Sequence, residues 1–417
     1  MKSNRKLFLI IIFIVPLVFI FSQCLTINKD KPDPRGDIFA GSSTCIKCHK
    51  DVYDNYLHTA HFSTTRLADI HSIGGSFSPH DNTFYFTKDL KVVMEKRADG
   101  LYQVTYSKGK QINAERFDIT FGGLKAESYL YWKGNQMYQL PMSYFRSLGW
   151  TNSPGFDSTY ANYTRMIGRR CFECHSSYIK DLPVETQGLQ SLDVESFDKN
   201  SLILGIDCER CHGPSANHVN YQTAYPEEKK AKYIATYASL SRAQKISMCA
   251  VCHSGNKNLI LKTTFVFKPG DDLGNFVENP PYQKPVDSAK LDVHANQSQL
   301  LASSKCFINS NMDCATCHNV HQNERGNLAM YSQKCMNCHT TANHNFCPMA
   351  PKLGAAIKNN CIDCHMPARS SSIITIETEG KGKKVPYLVR THHIAVYADA
   401  SQKIINYLKN NNKLTFK

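Results

Sequence analysis

The chain has 417 residues, of which 17 are cysteine and 17 are histidine, and Lys and Arg outnumber Asp and Glu by 49 to 35. The resulting net charge of +14 would, on its own, indicate a nucleic acid or another anionic surface as partner. The cysteine motifs described below imply bound groups of about −1 to −2 charge each, which bring the total toward neutrality, so we expect no nucleic acid as partner.

The N-terminal residues have the pattern of an export signal. A basic start with Lys2, Arg5 and Lys6 precedes an apolar run over residues 7–21, and Cys24 follows. The run is short for a membrane span, and a cysteine at its end resembles the cleavage site of a bacterial lipoprotein, where the thiol receives lipid. We expect an exported protein, periplasmic or at the cell surface and anchored to the membrane by lipid. Ordinary cleavage and an uncleaved anchor are the alternatives.

The motif Cys-x-x-Cys-His occurs seven times. Two thiols about one helical turn apart can form thioethers with the vinyl groups of one porphyrin, and the adjacent histidine becomes an axial ligand of its iron. A zinc knuckle or a redox disulfide does not need a histidine after each cysteine pair. We therefore expect seven covalently bound haem c groups. From first to seventh, the motifs are Cys45, Cys48 and His49; Cys171, Cys174 and His175; Cys208, Cys211 and His212; Cys249, Cys252 and His253; Cys314, Cys317 and His318; Cys335, Cys338 and His339; and Cys361, Cys364 and His365.

The longest gap between motifs, from Cys45 to Cys171, has a different pattern from the rest of the chain. Its opening is helix-like, and then short segments with period-two hydrophobicity, such as FYFTK, KVVMEKR and LYQVTYS, alternate with turn pairs such as Lys108-Gly109. This pattern predicts a β-meander over 82–145, with an irregular loop region as the alternative.

Helix and loop are expected elsewhere, so the predicted fold class is a mainly α multihaem cytochrome c with few long elements and an inserted β-rich meander. Most segments between the later motifs are too short to build a core of their own, so the haems should supply much of the interior and lie close together. A polar segment at 373–384 has the composition of a hairpin. The expected divisions are a signal peptide at 1–23, a tether at 24–40, a first haem segment at 41–71, a β-rich insertion at 72–150 and a six-haem helical region at 151–417.

Ten histidines lie outside the motifs, and a haem that only passes electrons normally takes a second axial ligand, often imidazole. His218, His321 and His344 each follow a motif histidine within a few residues. The chain between them is too short to wrap the same ring, so each should serve a neighbouring iron. His294 is included only because it precedes the fifth motif. A seventh ligand could come from His58, His71, His80 or His393.

These patterns resemble a superfamily of multihaem cytochromes that contains cytochrome c-554, the octahaem hydroxylamine oxidoreductases and the pentahaem nitrite reductases. The first motif followed by DVYDNYLHTAHF is similar to the family's opening, where the histidine matching His61 is a distal ligand. CHGPSANHV is similar to the family's CHGPG-x-x-H element and implies that role for His218, with Ser215 in place of a glycine. CIDCHMP with the later RTHHIAVY resembles the closing haem and its axial histidine, here His392.

The resemblance covers about 41–70 and 165–400, and it has two departures. The nitrite reductases use lysine in place of histidine in one motif, whereas all seven motifs here end in histidine. The hydroxylamine oxidoreductases cross-link a tyrosine to the catalytic haem, and no tyrosine here stands in a matching context. Neither specific activity is therefore carried over.

The sequence is compatible with two functions. The first is electron transfer through closely packed haems, with a quinone-side donor or other cytochromes as redox partners. The second is a haem-dependent oxidoreductase with one five-coordinate iron that acts on a small nitrogen or sulfur compound. The sequence assigns no catalytic residue. Outside the motifs, Cys306 and Cys347 either form a disulfide or remain free thiols.

Overall fold

Most helices of the protein are short, and several of them carry a motif. In this computed structural model the described residues are 32–183, 194–255, 258–278, 280, 287–343, 345–378 and 384–411. Their α-helices are Ser42–Cys45, Lys50–Tyr56, Arg169–His175, Cys208–His212, Ala216–Ala224, Arg242–His253, Gln297–Ala302, Lys305–Ile308, Leu328–Met336, Ala350–Leu353, Ile362–His365 and Ala398–Asn411. A motif needs only about one helical turn to bring its two thiols to one side, so nothing in it requires a long helix.

Side-chain caps fix where two of the motif helices begin. Asp207 precedes the third-motif helix, and its side chain accepts a hydrogen bond from the backbone N–H of Arg210. Ser241 and Gln244 form a capping box at the start of the helix that ends in the fourth motif. These caps satisfy amide groups that the first turn of a helix leaves unpaired. They therefore fix the residue at which the third-motif helix and the fourth-motif helix begin.

The strands form a four-stranded sheet, a two-stranded sheet and an eight-stranded sheet. In chain order they are β1 Thr65–Leu67, β2 Thr83–Tyr85, β3 Leu90–Arg97, β4 Gly100–Ser107, β5 Lys110–Arg116, β6 Ile119–Gly122, β7 Ala126–Lys133, β8 Gln136–Gln139, β9 Met142–Phe145, β10 Gly149–Asn152, β11 Tyr178–Leu182, β12 Ser196–Ile203, β13 Ala368–Glu377 and β14 Lys384–Arg390.

The four-stranded sheet is a plain antiparallel meander in the order β2-β3-β4-β5. One of its two-residue turns joins β4 to β5 through Lys108 and Gly109, which both have positive φ, at 48° and 79°. That conformation matches the right-handed twist of a hairpin and is easiest for glycine.

The eight-stranded sheet combines distant parts of the chain. Its order is β1-β6-β7-β9-β10-β13-β14, with β8 paired to β7. β10 meets β13 where Asn152 pairs with Glu377, and β13 and β14 pair antiparallel on either side of the predicted late hairpin. The first haem segment and the C-terminal part are therefore tied to the β region by backbone pairing.

Two hydrophobic clusters pack on these strands. One includes Val92, Met94, Tyr129 and Trp150 and lies within the β region. The other joins Phe121 of β6 to Phe172 of the second motif, together with Ile119, Leu130, Met137, Ile167, Ile179, Phe197 and Phe265. The large sheet thus forms part of the packing around the second motif.

The predicted fold class is wrong. The structure is 29% helix and 25% strand, with large antiparallel sheets, so it is not mainly α. The error has two physical causes: the motif helices stop after one or two turns, and strands form at β11, β12, β13 and β14, outside the expected meander. The β region also recruits β1, β13 and β14 from flanking segments, so its strands do not form one isolated meander.

No helix in the described residues is both long and apolar enough to cross a bilayer. The predicted signal peptide and Cys24 lie outside the described residues.

Candidate haem-binding site

The cysteines of different motifs lie against one another. The thiol of Cys45 lies close enough to that of Cys208 for the two to interact, and the same holds for Cys174 with Cys252, Cys249 with Cys314, and Cys335 with Cys361. The Cys211 thiol is close enough to that of Cys252 to interact electrostatically, as is Cys335 with Cys317. These thiol neighbours connect the first motif to the third, the third to the fourth, and then the fourth to the fifth, sixth and seventh in order. The second motif is connected to the fourth.

Three motif histidines face a second histidine from another part of the chain. The ring centroids of His212 and His321 are 6.0 Å apart at an interplanar angle of 11°. Those of His318 and His392 are 6.2 Å apart at 29°, and those of His253 and His61 are 6.2 Å apart at 77°. The structure therefore brings together three of the distal histidines expected from sequence and three motif histidines.

The spacing in these three pairs fits an iron between two imidazoles. A metal–nitrogen bond of roughly 2 Å on each side, plus the distance of about 1 Å from each ring nitrogen to its centroid, gives a centroid separation of about 6 Å. The Nδ1 atom of His392 is also buried without a hydrogen-bond partner in the described structure. An unpaired buried ring nitrogen costs free energy, which a metal bound at that same nitrogen would relieve. The residues of these pairs thus fit a six-coordinate haem iron.

Hydrogen bonds at Nδ1 orient several histidines and leave Nε2 free. The Nδ1–H groups of His339 and His365 donate to backbone carbonyls of Asn345 at 3.1 Å and Ala395 at 3.0 Å. In the same way His218 lies 2.8 Å from the carbonyl oxygen of Lys232. Metal-bound histidines usually donate their other ring N–H in this manner, which sets both tautomer and ring orientation.

Burial keeps several of these imidazoles neutral. Removal from water lowers the pKa of His61 to about 4, with a further contribution from His253. Burial has the same first effect on His175 and His392, whose pKa values fall to about 4. A neutral imidazole retains the lone pair that binds a metal, so these rings are held in the ligating protonation state near pH 7.

His175 of the second motif is held between β1 and β6. Phe121 stacks on its ring at 4.7 Å with an interplanar angle of 6°. The Thr64 hydroxyl lies 3.3 Å from its Nδ1, and the Thr65 hydroxyl donates to its backbone carbonyl. The large sheet therefore fixes the orientation of one motif histidine directly.

The other predicted distal histidines are not in ring contact with a motif histidine in the described residues. His294 is near enough to His175 to lower the pKa of that residue, after burial, and His218 acts in the same way on His212. Among the described ring contacts, none joins a second histidine to His49, His175, His339 or His365. Of the remaining predicted histidines, His344 lies outside the described residues, His58, His71 and His80 are exposed, and His393 is bound through Nδ1 to the hydroxyl of Tyr397 at 3.1 Å.

The two described cysteines outside the motifs are unbridged. Cys306 and Cys347 are both free thiols. Cys306 interacts electrostatically with Cys338, and Cys347 with Cys364. Of the two alternatives left open by the sequence, the structure has the free thiols.

Charged residues inside the motifs form contacts that the sequence analysis missed. Glu173 in the second motif accepts hydrogen bonds from the Thr263 hydroxyl at 2.7 Å and the Thr264 N–H at 3.1 Å. Asp363 in the seventh motif pairs with Arg390 at 2.7 Å. The sequence shows an acidic residue at a variable position of each of these motifs. It does not show that Glu173 is buried, which is unusual for a charged side chain.

Large apolar side chains are exposed close to the motifs. Val52 follows the first motif and is 44% exposed, Val320 follows the fifth and is 45% exposed, and Val396 beside Ala395 is 78% exposed. Single exposed apolar side chains are common on protein surfaces, and these three are available for contact with a porphyrin attached nearby.

Among solved structures, the chain resembles the outer cell wall cytochrome OcwA, with a TM-score of 0.50 and 15% identity over 88% of this chain and 82% of that one. It also matches the undecaheme cytochrome from the S-layer of Carboxydothermus ferrireducens, with a TM-score of 0.35 and 15% identity over 79% of this chain and 51% of that one. No family model and no curated protein matches the chain. The chain has the fold of a multihaem cytochrome.

Proposed function

We propose that this protein carries seven covalently attached haem c groups and transfers electrons through them. The observation that carries the proposal is the set of three histidine pairs with centroids 6.0–6.2 Å apart, each of which includes a motif histidine. Haem, when bound, supplies an iron that changes by one electron between its ferric and ferrous states.

The chain's own residues hold and orient these groups. The fourteen motif cysteines would form the thioethers, and the seven motif histidines would be the proximal ligands. His61 would complete the fourth haem, His321 the third and His392 the fifth. His218, His294 and His344 remain proposed distal ligands for other irons. With six ligand positions filled at an iron, no place is left for substrate, and such a haem only relays electrons.

Contacts between motif thiols support a relay. Each haem is attached at its thiols, so interacting thiols of different motifs would bring the edges of two haems close together. All seven motifs belong to one connected series. An electron that enters at one haem therefore has a short path to every other.

The second candidate function is an oxidoreductase, and one observation favours it. His175 is half-buried and stacked on Phe121, yet it has no histidine ring in contact among the described residues. An iron at this position with an unfilled sixth site would be enclosed enough to act on a small molecule.

We propose that the protein works outside the cytoplasm, exported by its N-terminal signal and held at the membrane by lipid on Cys24. The outer cell wall and S-layer origins of the two similar structures are consistent with a surface role. The proposed partners are a quinone-side donor or another cytochrome.

Intact mass of the purified holoprotein, followed by electron paramagnetic resonance of the oxidised form with and without cyanide, tests both candidates. Electron transfer predicts seven haem increments and low-spin spectra that cyanide does not change. Fewer than seven increments would contradict the haem count. A cyanide-sensitive high-spin signal that corresponds to one iron would support the oxidoreductase instead.

A further inference from the structure

Glu209 lies inside the third motif, and its carboxylate binds the segment that leads into the first motif. It accepts hydrogen bonds from the backbone N–H groups of Ala40 and Gly41, each at 2.9 Å. It also accepts from the N–H of Ser215 at 2.9 Å and from its hydroxyl at 2.6 Å. Gly41 directly precedes the helix that ends at Cys45. One buried side chain thus connects two motifs that are far apart in sequence.

The same carboxylate belongs to a buried charge cluster around Arg35. The guanidinium of Arg35 lies 2.8 Å from Asp207, 2.9 Å from Asp33 and 3.1 Å from Glu209. Burial opposes the charge of Arg35, but hydrogen bonds and attraction from Asp33 and Asp207 outweigh it and raise its pKa, so the group stays charged. The side chain of Arg35 is only 4% exposed and that of Glu209 only 1%. Three carboxylates around one guanidinium give the cluster a net charge of about −2.

The cluster lies at the junction of the first and third motifs. The thiols of Cys45 and Cys208 interact as neighbours. The backbone N–H of Cys208 donates to the Ser42 hydroxyl at 3.3 Å, and that of Ala216 donates to the Ile38 carbonyl at 3.0 Å. The later part of the predicted tether, residues 24–40, is therefore bound to the third-motif segment.

We propose that Glu209 is a positioning residue that joins the first and third haem segments, and that its cluster with Arg35 lowers the reduction potentials of those two haems. The inference rests on the proposed function. Reduction adds one negative charge to a haem, so a buried net negative charge beside it disfavours the ferrous state. The low exposure of the cluster limits screening by water and salt.

The experiment is a spectroelectrochemical titration of the holoprotein, resolved into one-electron couples, with intact mass as a check on haem content. In Glu209→Gln the side chain keeps its shape but loses its charge. We expect the reduction equilibrium constants of two haems to rise about tenfold, or about 59 mV for a one-electron couple. Arg35→Gln removes the cation alone and should shift the same two couples in the opposite direction.

Two further variants are controls. Arg35→Lys keeps the charge and should leave every couple within about twofold of the native value. Glu95→Gln makes the same chemical change on β3, where Glu95 pairs with Arg97 at 2.9 Å, and should shift none.

The inference is wrong if Glu209→Gln retains seven haems and shifts no couple by more than about twofold, or if Glu209→Gln and Arg35→Gln shift the couples in the same direction. If Glu209→Gln does not accumulate, Arg35→Gln and Arg35→Lys decide: lower potentials of two haems in Arg35→Gln but not in Arg35→Lys support the inference, and equal potentials in the two variants contradict it. A native protein with fewer than seven haems would contradict the proposed function, which is a separate outcome.

Discussion

His318 and His392 face each other with ring centroids 6.2 Å apart, although His392 lies in an extended segment near the C-terminus. The Tyr331 hydroxyl lies 3.2 Å from Nδ1 of His318 and so fixes one side of that ring. The opposite ring nitrogen is left for a metal. Similar opposed pairs occur at His212 and His253, and under the proposed function these three pairs would close three haems to external ligands.

Replacing His392 should open one iron. His392→Ala leaves the fifth haem with His318 as its only protein ligand, so one of seven irons should become high-spin and bind carbon monoxide when reduced. The measurement is the Soret difference spectrum after addition of carbon monoxide. His71→Ala, at an exposed histidine between β1 and β2, is the matched control and should bind none. Equal binding by both variants, or by neither, would exclude His392 as a ligand.

Phe121 should contribute strongly to stability because its side chain is 7% exposed and packs against both His175 and Phe172. We expect Phe121→Ala to lower the free energy of unfolding by about 3–5 kcal/mol, the usual cost of a cavity of this size. Chemical denaturation of the holoprotein measures it. Ile112→Ala on β5, where the side chain is 61% exposed, should change the free energy by no more than about 0.5 kcal/mol. A small effect for Phe121→Ala would mean that the sheet does not hold the second motif.

Glu173 should contribute more to the free energy of unfolding than the exposed Asp181, although both side chains pair with Arg169. Glu173→Ala leaves the N–H of Thr264 unpaired in a buried site, which should cost about 1–3 kcal/mol of unfolding free energy. The Asp181 side chain is 44% exposed, so Asp181→Ala should cost at most about 1 kcal/mol. Thermal unfolding of the two variants compares them, and equal losses would contradict a buried anchoring role for Glu173.

Cys306 and Cys347 should react as free thiols. Alkylation of the denatured, unreduced holoprotein should add a label at each of them, since thioether formation removes the fourteen motif thiols. Peptide mass spectrometry locates the labels. Labelling of these two residues only after reduction would instead show a disulfide between them.

The sequence predicted the motifs because haem attachment is local: seven pentapeptides specify their own cofactor. It also predicted that His321 would serve a neighbouring iron, which stays a prediction, and the ring of His321 faces that of His212. The pairing of His61 with His253 was beyond it, because that contact depends on how segments far apart in the sequence pack together.

The sheets show the same limit. Alternating patterns between residues 82 and 145 were visible in the sequence, but the joining of β10 to β13 was not, because a single pair, Asn152 with Glu377, makes that connection. The mainly α expectation failed because a motif specifies one helical turn and says nothing about the segments around it. The charges inside motifs were overlooked for a related reason: their partners, such as Arg35 for Glu209, come from remote segments.

The central claim is that iron lies between the three histidine pairs. The most direct measurement is an anomalous difference map of the holoprotein at the iron absorption edge. We expect seven iron peaks, with one between His212 and His321, one between His318 and His392, and one between His253 and His61. A peak bonded to only one histidine of any of these pairs, or no peak between them, would contradict the account.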